Sequence, residues 1–200
     1  MMRVARYTVL IGTLLGTCVP LAAQTAQDRA RQRFWIHVNL GYGTANVSCD
    51  SCLSGPRLEG VTGGLELGGT VSPNVRLGGM FEAWRHGTGA SLEELETVGA
   101  VMYYYPGRSS GFFLKGGLGF SSYNAPASPA VSGTGWGYTA GAGYEVPIGS
   151  TVTIMPFVDY VYGNVGDLNS SDGSIFVTGW NQNFVAFGLS FGFYPGSHRY

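Results

Sequence analysis

Val185-Ala-Phe-Gly-Leu-Ser-Phe-Gly-Phe193 is the stretch on which the fold of this chain turns. Val185, Phe187, Leu189, Phe191 and Phe193 alternate there with Ala186, Gly188, Ser190 and Gly192. A strand sends successive side chains to opposite faces, so one face is large and apolar while the other is tiny. A soluble sandwich could use one such strand. Here the pattern repeats along the chain, and the repetition carries the argument.

Working back towards the N-terminus, Val152 to Val165 sets Ile154, Val158, Tyr160 and Tyr162 against Met155, Phe157 and Asp159. Trp136 to Pro147 sets Trp136, Tyr138, Ala140, Tyr144 and Val146 against Thr139, Gly141 and Glu145. In Phe112 to Tyr123, Phe112, Leu114, Leu118 and Phe120 oppose Lys115 and glycines. Val75 to His86 opposes Leu77 and Phe81 to Arg76, Glu82 and Trp84. Leu58 to Val71 opposes Val61, Leu65 and Leu67 to Thr62, Glu66 and Thr70. Phe34 to Val47 opposes Phe34, Ile36, Val38, Leu40 and Tyr42 to Trp35, His37, Asn39, Gly41 and Gly43. The fourth segment, Glu94 to Tyr105, is apolar on both parities toward its end, and its facing stays open.

The connections alternate in length. Tight turns at Ser72-Pro73-Asn74, Pro106 to Ser110 and Pro147 to Ser150 alternate with longer segments at Ser48 to Arg57, Gly87 to Glu93, Asn124 to Gly135 and Gly166 to Asn181. Outer-membrane barrels have short periplasmic turns, longer outer loops and an even strand number. Charged residues make up only 12% of the chain, about half the usual share, alongside 33 glycines and 14% aromatics. A soluble lipocalin-like barrel would put its large apolar residues inside and its charges outside. In this chain the charges share a face with glycine. The reading is an all-β, membrane-spanning antiparallel up-and-down barrel of about eight strands over residues 34–194 of a bacterial outer membrane.

Arg3 and Arg6, the short apolar stretch Thr8 to Pro20, and Leu21-Ala22-Ala23 before Gln24 predict a signal peptide over 1–23. The apolar stretch is too short for a membrane span, and Cys18 lacks a good lipobox. A polar periplasmic lead-in over 24–33 and a periplasmic tail over 195–200 complete the organisation. Cleavage removes two of the 11 basic residues and no acids, moving the formal charge from −1 to −3. That balance argues against nucleic acid as a partner.

The pattern over Phe34 to Phe193 resembles the small outer-membrane β-barrel family of the OmpA/OmpX type. Its sharpest piece is Gly188-Leu189-Ser190-Phe191-Gly192-Phe193, similar to the C-terminal signal read by the barrel-assembly machinery. The resemblance implies that Gly188, Phe191 and Phe193 form that signal. Phe187 stands where a polar residue is common, and Tyr194 to Tyr200 extends past the terminal aromatic. The family's longer members carry a peptidoglycan-binding domain, for which no residues follow here.

By parity His37, Glu66, Arg76, Glu82, Lys115, Glu145 and Asp159 share the lumen. An eight-stranded interior is just wide enough to be filled by side chains, and charges inside it must pair. The first expectation is an ion-pair network locking the barrel, with Arg76 beside Glu66 and Glu82, and Lys115 finding an acid. The alternative is a narrow channel or carrier for a small or hydrophobic solute. Cys49-Asp50-Ser51-Cys52 at a loop tip, in an oxidising compartment, predicts a loop-pinning disulfide between Cys49 and Cys52. No metal or cofactor motif stands out.

A lipid A-modifying enzyme would need an activated nucleophile; His86, Ser91 and a nearby glutamate are the one grouping at the right level, and their spacing is undiagnostic. His198 lies in the tail. Trp136, Tyr138, Tyr160, Tyr162 and Tyr103 to Tyr105 are expected as membrane-interface girdles. The sequence therefore predicts a non-enzymatic barrel with a structural or surface-interaction role. Its predicted partners are outer-membrane lipid, lipopolysaccharide and, during biogenesis, the assembly machinery; the extracellular partner is open.

Overall fold

The computed structural model describes residues 34–195 except 53, 54, 108, 127 and 128; the predicted signal peptide, the lead-in and His198 lie outside the described residues. The strands are β1 (Phe34–Ser48), β2 (Leu58–Ser72), β3 (Val75–His86), β4 (Glu93–Tyr104), β5 (Phe112–Ala125), β6 (Val131–Tyr144), β7 (Val146–Ile148), β8 (Val152–Ser170) and β9 (Ile175–Phe193). All neighbouring strands pair antiparallel. The ladder runs β1 to β6, continues from β6 to β8 and β9, and returns from β9 to β1. Three-residue β7 prolongs the β6 side of the sheet and pairs with the start of β8. The result is a closed eight-stranded antiparallel barrel, with no strand edge left unpaired along its wall.

Alternation divides the residues as the pattern predicts. Leu40, Leu65, Leu118, Phe120, Phe187 and Leu189 are exposed on the outer wall, where an outer-membrane barrel meets lipid. Phe191 and Phe193 share that wall. Glu66, Arg76, Lys115 and Asp159 are buried inside.

The pairing of β4 decides the facing that its own sequence leaves open. Tyr103 lies opposite Arg76 on one side and Lys115 on the other, and directly opposed residues share a sheet face. Tyr103 and Tyr105 are accordingly buried, while Tyr104 is exposed. This corrects the expectation that all three form a girdle. Trp136, Tyr138, Tyr160 and Tyr162 do form one outer-wall cluster, with ring centroids 5.3–6.4 Å apart.

Two expected loops are mostly strand. Residues 166–181 form the top of a long β8–β9 hairpin with irregular register at Asn164, Gly166 and Leu168. Its turn is held by Asp172, which accepts bonds from the Ser174 hydroxyl at 2.6 Å and backbone N–H at 2.9 Å. Likewise, β5 and β6 extend to Ala125 and from Val131. Paired backbone made these polar residues strand although their side chains alternate poorly. Cys49 and Cys52 form a disulfide. The turn between them docks on the hairpin: the Asp50 N–H donates to the Thr178 carbonyl at 3.3 Å, and its carboxylate covers Gly179.

Curvature explains the inward glycines. Gly41 and Gly188 face each other across β1 and β9, and a Cβ on Gly188 would lie 2.1 Å from the Leu40 carbonyl oxygen. Lipid-facing Gly69 and Gly116 would meet nothing within 4 Å. Gly188→Ala should therefore cost about 1–3 kcal/mol of strain, whereas Gly116→Ala should be tolerated; urea unfolding in detergent micelles, read by the heat-dependent gel shift, compares them. The mature protein should also yield no alkylatable thiols by mass spectrometry until it is reduced.

Candidate functional site

Inward residues form two apolar clusters with charged groups between them. At the loop end, Trp84, Leu95, Val165, Leu168, Trp180 and Phe184 belong to one apolar cluster. At the turn end, Trp35, Met80, Val101, Tyr103, Phe113 and Tyr194 belong to a second. Charged and polar groups lie between and among these rings.

Lys115 on β5 is the hub of the waist. Its Nζ donates to Glu66 Oε1 at 2.9 Å, Glu82 Oε1 at 2.5 Å and Asp159 Oδ2 at 2.5 Å. Glu66 is the best-satisfied acid of the three. Its Oε1 also accepts from Asn39 Nδ2 at 3.0 Å, and its Oε2 accepts from the Tyr103 hydroxyl. His37 stands 3.6 Å from that second oxygen and packs against Trp35 with centroids 4.5 Å apart and ring planes tilted by 32°. Its Nδ1 and Nε2 each lie 3.4 Å from a tyrosine hydroxyl, of Tyr103 and Tyr194 respectively.

Arg76 forms a second centre nearer the turns. Its Nη2 donates to Glu145 Oε2 at 3.1 Å, and its Nη1 donates to the Tyr194 hydroxyl at 2.5 Å. That hydroxyl donates to Glu145 Oε1 at 2.6 Å, closing a ring of three residues. The guanidinium also lies over the Tyr105 ring, 4.6 Å from its centroid. The sequence-level pairing of Arg76 with Glu66 and Glu82 is thus corrected. Along the ladder Arg76 is level with Thr70, four residues from Glu66, and it stands six residues from Glu82 on its own strand, roughly 13–20 Å away, so Arg76 meets Glu145 at the turn end while Lys115 takes the acids of β2 and β3.

Of the seven residues predicted to share the lumen, the structure brings all seven into these two linked centres. Sequence reasoning missed Tyr103, Tyr105, Tyr194 and Asn39 as partners. Tyr194 was legible: it continues the parity of Ser190 and Gly192 by one more step beyond the strand's last lipid-facing Phe193. Asn39 lay on the inward parity but carried no charge to mark it.

His86 and Ser91 are each bonded to a backbone carbonyl. His86 Nδ1 is bonded to the Glu59 carbonyl at 2.5 Å, and its ring stacks on Trp84. The Ser91 hydroxyl donates to the Thr88 carbonyl at 3.0 Å within a short 3-10 turn. Among the described residues no cluster of three or more His, Cys, Asp or Glu side chains could hold a metal ion.

Two solved barrels share this architecture at low sequence identity. Neisserial surface protein A is 12% identical with a TM-score of 0.53, over 80% of this chain and 96% of that one. Ail of Yersinia pestis, solved with the heparin analogue sucrose octasulfate, is 16% identical with a TM-score of 0.52, over 80% and 99%. No curated protein matches the sequence significantly. The outer membrane protein beta-barrel domain family matches residues 11–193. With its closed eight-stranded wall, apolar on the outside, this chain belongs to the outer membrane protein beta-barrel domain family and is a small barrel of the bacterial outer membrane.

Proposed function

We propose that this barrel has a structural and surface-interaction role, with a lumen that locks the wall and conducts nothing. The observation that supports this reading is the packing of two buried apolar clusters around a bonded charged waist within the bore. A cavity beside the waist measures about 20 Å³, room for a single water. A hydrated solute needs far more.

Contacts with other molecules then fall to the loop end. There the β8–β9 hairpin presents Ile175 and Phe176, both more than half exposed. Asp50, Glu59, Glu93, Asp167 and Asp172 outnumber Arg57 and Arg85 in that region. The Yersinia relative was solved with a polyanion, but an acidic rim repels one. A cationic or apolar partner suits this surface better. The engaged hydrogen bonds of His86 and Ser91 favour a non-enzymatic role.

Two measurements test the closed-lumen reading. In planar bilayers the refolded protein should be electrically silent, and regular ohmic steps would show a path through the waist. Removing one partner of a buried ion pair typically costs about 3–5 kcal/mol because the survivor is stranded. Arg76→Ala, which takes the buried Glu145 carboxylate's cation away, should therefore lower the urea midpoint in detergent much more than Leu77→Ala on the lipid face. Equal small losses at both positions would remove the locking role.

A further inference from the structure

The Lys115 centre contains more acid than its donors can satisfy. An ammonium has three N–H donors, and Glu66, Glu82 and Asp159 take one each. Glu66 then receives Asn39 and Tyr103 in addition. Among the described residues Glu82 Oε2 and Asp159 Oδ1 have no hydrogen-bond donor, and both are buried, on residues only 6% and 4% exposed. Both side chains border the 20 Å³ cavity, together with Asn39, Thr62 and Phe157.

Charge leads to the same place. Arg76 and Glu145 cancel. With all three acids ionised, the Lys115 centre would carry two uncompensated negative charges in a wall surrounded by lipid. Two carboxylates held on one nitrogen disfavour joint ionisation, and stranding a buried charge costs several kcal/mol. The other ionisable groups facing the centre are Tyr103 from β4 and His37 from β1. His37 already bonds to tyrosine hydroxyls and lies on the far side of Glu66. β6 and β9 contribute the neutral Gly141, Thr139 and Ala186.

We propose that Glu82 and Asp159 form a proton-binding site, holding one proton between them in the folded barrel at neutral pH. The carboxylic O–H supplies the missing donor to an orphan oxygen, directly or through a water in the cavity, and halves the excess charge. This rests on the lumen facing assigned above but not on whether the barrel conducts.

Infrared spectroscopy of the folded protein in detergent tests it. A protonated carboxyl gives a carbonyl band clear of the amide absorption, displaced in D₂O. The band should be present at neutral pH and missing from Glu82→Gln or Asp159→Asn, whichever residue carries the proton. Because the amide imitates the protonated acid, that variant should keep the wild-type urea midpoint, whereas Lys115→Met should lower it. A wild-type spectrum without the band at neutral pH overturns the proposal and needs no variant to fold. So does a band that persists unchanged in both amide variants. Failure of the closed-lumen reading shows instead as conductance steps, which leave the band untouched.

Discussion

Eight strands closed into a ring leave a bore no wider than the side chains that point into it. Everything else in this structure follows from that circumference. The wall is so curved that an inward Cβ collides with the neighbouring strand's carbonyl at positions such as Gly41 and Gly188, so glycine lines much of the inner wall. The space that glycine vacates is filled by a few large residues. Trp35, Trp84, Tyr105 and Tyr194 are almost wholly buried, and each spans ground that no small residue could cover.

The same narrowness sets the electrostatics. A wide pore hydrates its charges, whereas charges as buried as these must pair. Arg76 therefore takes both a carboxylate and a tyrosine, and Lys115 spends every proton on an acid. These bonds join strands remote in sequence: β3 to the end of β6 and the end of β9, and β5 to β2, β3 and β8. They act as cross-ties through the middle of a cylinder whose wall is otherwise held only by nearest-neighbour ladders. The outer wall needs no such ties, because lipid solvates it without specificity.

Toward the loop end the constraint relaxes. β8 and β9 continue past the neighbouring strands as a hairpin, steadied from the side by the disulfide-closed turn at Cys49 and Cys52. Asp50 fits over Gly179, whose φ of +68° and missing Cβ allow that approach. Apolar Ile175 and Phe176 at the tip contrast with the buried aromatics below.

The amino-acid sequence by itself determined what a period of two can determine. Alternation told lipid face from lumen for seven of the eight spanning strands, turn residues marked the short connections, and parity brought Glu66, Arg76, Lys115 and Asp159 to one interior. It failed at β4, where Met102-Tyr103-Tyr104-Tyr105 is apolar on both parities. It also failed at residues 166–181, where backbone pairing rather than side-chain pattern makes the strand. Tertiary structure alone decided which charges meet. Arg76 is level with Thr70 and Tyr103, four residues along the ladder from Glu66 and six from Glu82, so residues that share a face need not share a height. That is why Arg76 found Glu145 and Tyr194 rather than the neighbouring Glu66 and Glu82, and why one lysine came to hold three acids.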